Sequence, residues 1–168
     1  MTGKIIFATV GTTKFDLLIQ KLTEKTVLEA LKEKGYSTLI LQIGGGDITP
    51  DLENANQIGI NLTYFKYKNS IKKDILKADL VISHAGAGTC LEVLEAEKPL
   101  IVVINENLMN NHQKELADQL SSDGYLLSCT CDTLYETVKK MNLSRLKKMP
   151  RVNPNIFPIY LNNLMGFQ

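Results

Sequence analysis

Apolar positions recur along this chain in two periods, and the two periods alternate. Residues 4–10 (KIIFATV) form a short β-rich run closed by Gly11-Thr12-Thr13, as a buried strand ending in a turn reads. Phe15, Leu18, Ile19 and Leu22 then recur at i, i+3, i+4 and i+7, one face of a helix. The pattern continues through Leu28 and Leu31 to Gly35, a natural C′ glycine, and predicts one long helix. A strand follows over 37–43, then the loop Gly44-Gly45-Gly46. Residues 47–59 read as irregular, with Pro50 as a breaker. A third strand is predicted over 60–67 and a short helix over 70–77, with Ile71, Ile75 and Ala78 inward and Lys72, Lys73 and Lys77 outward.

Leu80, Val81 and Ile82 make the next strand, followed by a helix that Pro99 ends and a buried strand over 100–104. Asn111-His112-Gln113 opens a further helix with Leu116, Ala117 and Leu120 inside, and Gly124 closes it. A strand over 125–129 and a helix running to Met141, with Asp132 as its N-cap, complete the series. Pro150, Pro154 and Pro158 interrupt the remaining residues, and 159–167 reads as a short terminal helix.

Strands alternating with helices predict an α/β fold: a doubly wound, mainly parallel sheet with helices on both faces, plus a short C-terminal helical segment. In such sheets ligands lie beyond the carboxyl ends of the strands, where strand order reverses. The loops at 11–13, 44–46, 84–89 and 105–113 all come after strands and are expected to gather on one rim.

Composition narrows the class. At 168 residues the chain reads as one domain over 1–150 with a C-terminal segment, 151–168, that packs on the domain or on a partner. Hydrophobic residues at 44% suffice for a core, and 22% charged residues argue against disorder. The longest apolar runs are too short for a bilayer span, and the amino-terminal strand lacks a signal peptide's long apolar region. A cytosolic chain is the expectation, which makes the sequons at Asn61 and Asn142 chance matches. Three cysteines predict no disulfide framework. Cys129 and Cys131 alternate on a strand and read as buried packing, since His84 and His112 offer no zinc spacing with them. Asp47 and Asp51 make a poor magnesium pair, so neither metal nor cofactor is expected. No nucleic-acid partner is expected either. The last 32 residues carry six bases and no acid, leaving 13 bases against 18 acids in the first 136. That basic end suits an acidic partner surface or an anionic membrane face, or equally a solvated helix face.

The chemistry concentrates at residues 79–92 (DLVISHAGAGTCLE). A strand, a run of small residues around His84, and a helix containing Leu91, Val93 and Leu94 make the arrangement that builds an anion site. Unpaired N–H groups and the helix dipole favour negative charge there, and glycine permits close approach. Glu92 lies about one turn into the helix, placed for sugar hydroxyls rather than phosphate. The run is not a P-loop, and Leu91 stands where a dinucleotide fingerprint needs its last Gly or Ala. The alternative is a tight strand-to-helix turn with no ligand.

Four segments carry a resemblance: residues 10–13 with Phe15 and Asp16 (VGTT-FD), 78–89 (ADLVISHAGAGT), 98–106 (KPLIVVINE) and 110–117 (NNHQKELA). Together, from about residue 3 to about residue 140, the chain resembles the family of soluble catalytic subunits of the N-acetylglucosaminyltransferase that adds the second sugar to the dolichol-linked oligosaccharide. It is more distantly similar to the nucleotide-sugar half of the bacterial transferase that makes lipid-linked disaccharide for the cell wall. The resemblance implies UDP-N-acetylglucosamine as donor, dolichyl-diphosphate-N-acetylglucosamine as acceptor, and a β1,4-linked chitobiose product. It implies two Rossmann-like halves, of which this chain supplies the UDP-sugar-binding one. A membrane-anchored subunit would supply the acceptor half and recruit this one to the cytosolic face of the endoplasmic reticulum.

By the same resemblance Gly86, Ala87, Gly88 and Thr89 hold the diphosphate, His84 lies near the phosphates, and Glu92 binds the ribose hydroxyls. Asn111, His112 and Gln113 contact the donor sugar, while Gly11, Thr12 and Thr13 lie on the acceptor and partner side. His84 and His112 are the local candidates for the catalytic base, the partner subunit being the other place for it. Two rivals stand beside this reading. A nicotinamide enzyme wants an acidic residue at the end of the second strand, where Leu41-Gln42-Ile43 stands instead. A non-catalytic binding or assembly module keeps the fold without turnover.

Overall fold

The computed structural model describes residues 2–107 and 111–150; Asn111 and His112 are described as helix positions only. The elements run β1 (Lys4–Thr9), α1 (Asp16–Thr23), α2 (Lys25–Glu33), β2 (Tyr36–Gln42), α3 (Leu52–Ile58), β3 (Asn61–Phe65), α4 (Lys72–Lys77), β4 (Leu80–His84), α5 (Ala87–Glu95), β5 (Leu100–Ile104), α6 (Asn111–Ser122), β6 (Leu127–Thr130) and α7 (Leu134–Lys140), then a 3-10 turn at Leu143–Arg145. The terminal helix expected over 159–167, and the docking of 151–168, lie outside the described residues.

Six strands form one sheet in the order β3-β2-β1-β4-β5-β6, every pair parallel. Chain order reverses between β1 and β4, so the switch point lies there. The strand interiors are apolar on both faces, as a doubly wound sheet requires. Ile6, Ala8, Leu80, Ile82, Ile101 and Val103 pack toward α1, α2, α3 and α7. The alternate positions Phe7, Val81, Leu100 and Val102 pack toward α4, α5 and α6. The expected inward residues Ile75, Ala78, Leu116, Ala117 and Leu120 are all buried. So are Cys129 and Cys131, which share one face, and burial pushes their thiols up to about 12 and about 11.

Three local expectations are corrected. The single helix after β1 is two, α1 and α2, separated by Glu24 in extended conformation (φ −63°, ψ 138°). Thr23 Oγ1 donates to the carbonyls of Ile19 (3.0 Å) and Gln20 (3.2 Å), and such back-bonding competes with helix propagation. The five-residue step from Leu22 to Val27 already departs from the 3.6 period. Within the supposedly irregular 47–59 lies α3, capped by Asp51, whose Oδ1 accepts from the N–H of Glu53 (2.9 Å) and Asn54 (3.2 Å). Gly59, at φ 82°, ends it. Ala55 alone of its residues is fully buried, too faint a stripe for periodicity to detect. Finally, α7 takes Thr133 rather than Asp132 at its N-cap.

Of the basic residues near the end, Lys139, Lys140 and Lys148 pair with Glu33, Glu136 and Glu97 of this same chain. Among the described residues no helix is long and apolar enough to cross a membrane.

Candidate functional site

The parallel register sets Thr9 of β1 beside Ser83 of β4, so the loops leaving the two strands emerge together at the switch point. At the β1 end the buried Thr9 hydroxyl donates to Gln42 Oε1 (2.5 Å) and accepts from the Gly11 N–H (2.9 Å). Gln42 occupies the strand end where a nicotinamide enzyme carries its acid, and its side chain is spent inside the fold. Thr13 turns the chain by donating from both N–H (3.3 Å) and Oγ1 (2.7 Å) to the Val10 carbonyl. The triple glycine after β2 wedges against this turn. A Cβ on Gly44 would stand 2.4 Å from the Thr13 carbonyl oxygen and 2.8 Å from that of Gly11.

At the β4 end stands His84, mostly buried. Desolvation lowers its pKa below the ordinary histidine value, and the nearby Thr9 backbone offsets this only in part. Nδ1 of the ring is buried with no hydrogen-bond partner. The imidazole lies between Gly11 and Gly86, close to both backbones.

Gly86 is the N-cap of α5 and no side chain caps that helix. Its first turn therefore presents the N–H groups of Ala87, Gly88 and Thr89 at the rim. Gly88 is exposed, and nothing lies within 4 Å of where its Cβ would be. Glu92 comes four residues later on the same helix face, and its carboxylate has no partner among the described residues. An uncapped helix start with open space before it and a carboxylate one turn below suits an anion joined to a polyhydroxyl group.

A cleft of ≈170 Å³ joins three strand ends, lined by Thr13, Lys14, Phe15, His84, Ala85, Asn105 and Gln113. It gathers Thr13, His84 and Gln113 of the expected site. Gly86, Ala87, Gly88, Thr89 and Glu92 belong to the adjoining α5 start, while Gly11 packs behind His84 and Thr12 is exposed beside it. The side chains of Asn111 and His112 lie outside the described residues. Sequence reasoning did not single out Lys14, whereas Asn105 opens the loop after β5 that was expected on this rim. Lys14 is held by Asp47 (2.7 Å) and lies 3.8 Å from Asp16; Asn105 accepts from the Asn107 N–H (3.2 Å) in an Asx turn. The one available signal for Lys14 was position just after a strand. A larger hollow, ≈570 Å³, lies along the β6 edge beside α7, but no expected site residue lines it. Convergence of strand ends, not size, makes the smaller cleft the candidate site. Among the described residues no group of three or more His, Cys, Asp or Glu is placed to hold a metal ion.

Fold and cleft together define a Rossmann-like α/β domain with an anion-ready crevice at its switch point. Residues 5–157 match the glycosyltransferase family 28 C-terminal domain, and the chain belongs to that family. It is 55% identical over 131 residues to the human UDP-N-acetylglucosamine transferase subunit ALG13, a match that covers 78% of this chain but 11% of the human one. The mouse relative likewise extends far beyond the match, with 11% of its length covered. A relative of the same name from Cryptococcus neoformans is 29% identical, with 96% of each chain covered. The fold agrees with the NMR solution structure of ALG13 (TM-score 0.69, 23% identity, 95% of this chain and 96% of that one). It agrees also with Acinetobacter baumannii MurG (TM-score 0.68, 20% identity, 99% of this chain and 50% of that one).

Proposed function

We propose that this chain is the donor-binding, catalytic subunit of an inverting N-acetylglucosaminyltransferase. It moves N-acetylglucosamine from UDP-N-acetylglucosamine to dolichyl-diphosphate-N-acetylglucosamine. A membrane-anchored partner supplies the acceptor half and brings it to the cytosolic face of the endoplasmic reticulum. Segment 151–168 packs on this domain or on that partner. Family membership and the relatives' names support the donor and the status of a subunit. The observation that carries the reading is the uncapped start of α5, with open space at Gly88 and Glu92 below it, beside the His84 cleft.

UDP departs as a diphosphate, so charge develops on phosphate in the transition state. The N–H groups of Ala87, Gly88 and Thr89, aligned with the helix dipole, are preorganised to meet it. Four residues of helix set Glu92 about 6 Å further along the axis, where its carboxylate accepts from the ribose hydroxyls. Gln113 and Asn105, across the cleft, face the sugar end. His84, kept neutral by burial, is in the protonation state that accepts a proton from an acceptor hydroxyl. His112 and the partner are the other sources of that base.

Calorimetric titration of UDP-N-acetylglucosamine against the isolated chain tests the donor half. Transfer assays with and without the membrane subunit test the rest. Donor binding by the chain alone, with turnover only in the complex, is expected. Efficient chitobiosyl-lipid synthesis by this chain alone overturns the divided enzyme. Donor binding without turnover in the complex favours the non-catalytic module, and failure to bind UDP-sugar in either form removes the donor reading.

A further inference from the structure

Gly86 and Gly88 stand two apart in one motif, yet their surroundings differ. Gly88 faces open space. Gly86 has φ −72° and ψ 120°, a conformation open to any residue, so its backbone does not call for glycine. Its side does: a Cβ there would lie 2.6 Å from His84 Nε2 and 2.8 Å from Cε1, closer than nonbonded carbon tolerates. Across the ring, a Cβ on Gly11 would lie 3.0 Å from the same Cε1. We propose that Gly11 and Gly86 are positioning residues, the two walls of a slot that holds the His84 imidazole between the β1 and β4 loops.

The slot is stiff on the Gly11 side. The Gly11 N–H is pinned by the Thr9 hydroxyl at 2.9 Å, and Gly44 presses on the Gly11 carbonyl so closely that a Cβ there would stand 2.8 Å from it. Gly11 itself sits at φ 63°, a conformation that suits glycine and fixes the turn. The ring accepts a buried Nδ1 with no partner, a state that persists where the surrounding packing leaves no alternative. Lys14 is the one charged residue lining the cleft among the described residues, and Asp47 and Asp16 hold it. The triple-glycine loop thus reaches His84 through two shells of backbone, Gly44 on Gly11 and Gly11 on the ring. This deepens the proposed function, and only its catalytic consequence rests on that reading.

The test begins without any ligand. Histidine NMR titration of the full chain compares wild type with Gly86→Ala, and with Gly88→Ala as contrast. Gly86→Ala is expected to push the ring toward solvent and raise the His84 pKa toward the ordinary value, while Gly88→Ala leaves it unmoved. Thermal unfolding then compares Gly86→Ala in the wild-type and His84→Ala backgrounds. The loss of melting temperature should vanish where the ring is gone. Should Gly86→Ala fail to fold, the double variant should still fold. In the assembled transferase, Gly86→Ala should lower kcat and move the acidic limb of its pH profile. An unchanged His84 titration, or equal destabilisation with and without the imidazole, overturns the slot. Neither reading needs UDP-sugar to bind, so failure of the slot and failure of the donor assignment are separable.

Discussion

Thr9→Val tests whether the switch-point loops are held by one hydroxyl. Thr9 is 1% exposed and Gln42 4% exposed, so water does not replace what the substitution removes. Because Thr9 Oγ1 accepts from the Gly11 N–H, its own hydrogen is free for Gln42 Oε1, and both bonds go together. Valine keeps the β-branch and nearly the volume, so no cavity term enters. A buried polar group left unsatisfied costs about 1–3 kcal/mol. Gln42 carries that cost in full; Gly11, half-buried, recovers part of it from water. The expected loss is therefore about 2–4 kcal/mol, a large share of a domain's usual margin of about 5–15 kcal/mol. The assay is urea unfolding, read as a lower midpoint at unchanged slope. Thr9→Ser, which keeps the hydroxyl, should cost about 1 kcal/mol. Adding Gln42→Leu to Thr9→Val removes one orphan and should recover part of the loss. A Thr9→Val protein within about 0.5 kcal/mol of wild type, or a Thr9→Ser protein equally damaged, refutes the reasoning.

Gly88→Val should abolish UDP-N-acetylglucosamine binding by calorimetry with the circular dichroism spectrum unchanged, since a Cβ there has nothing within 4 Å; normal binding would reduce the α5 loop to a turn. Glu92→Ala should weaken UDP by about 1.5–3 kcal/mol, the range for a hydrogen bond to a charged group, and unchanged affinity in a folded variant removes the ribose assignment. Asp51→Ala should cost about 1 kcal/mol in urea unfolding, because α3 loses its N-cap; a neutral result would mean water caps the helix as well. Burial lowers the folded-state pKa of His84 from the ordinary 6.5, so the unfolded chain takes the proton first. That contribution is fully present above about pH 6.5 and lost as pH falls through the lowered value; a urea-midpoint series should show the slope in wild type and lack it in His84→Asn.

The sequence by itself determined the elements whose signal is local. Residues 100–104 read as the strand that β5 is, because a strand buried on both faces is an uninterrupted apolar run rich in β-branched residues. Gly35 and Gly124 mark helix ends and sit at φ 92° and 85°, where glycine relieves the strain that any other residue would carry. The alternation of periods was enough for a doubly wound parallel sheet, and the small-residue run after β4 was enough to point to an anion-ready helix start. Where the local signal was weak, reading along the chain failed: α3 buries too little to show a stripe, and Thr23 breaks a helix whose apolar pattern nearly continues.

The site needed more than the elements. Strand order decided that residues 9–13 stand beside His84, across some seventy positions of chain, through the pairing of Thr9 with Ser83. The same order brought Lys14 onto the cleft, though it carries no motif, and set it with Asn105 from the loop after β5. The local fold of the β4–α5 loop separated two glycines that sequence treats alike, one facing empty space and the other an imidazole. Spacing along a chain measures distance only within an element. Between loops, distance is set by which strands pair and in what register, and that pairing is won by burying both faces of the whole sheet at once.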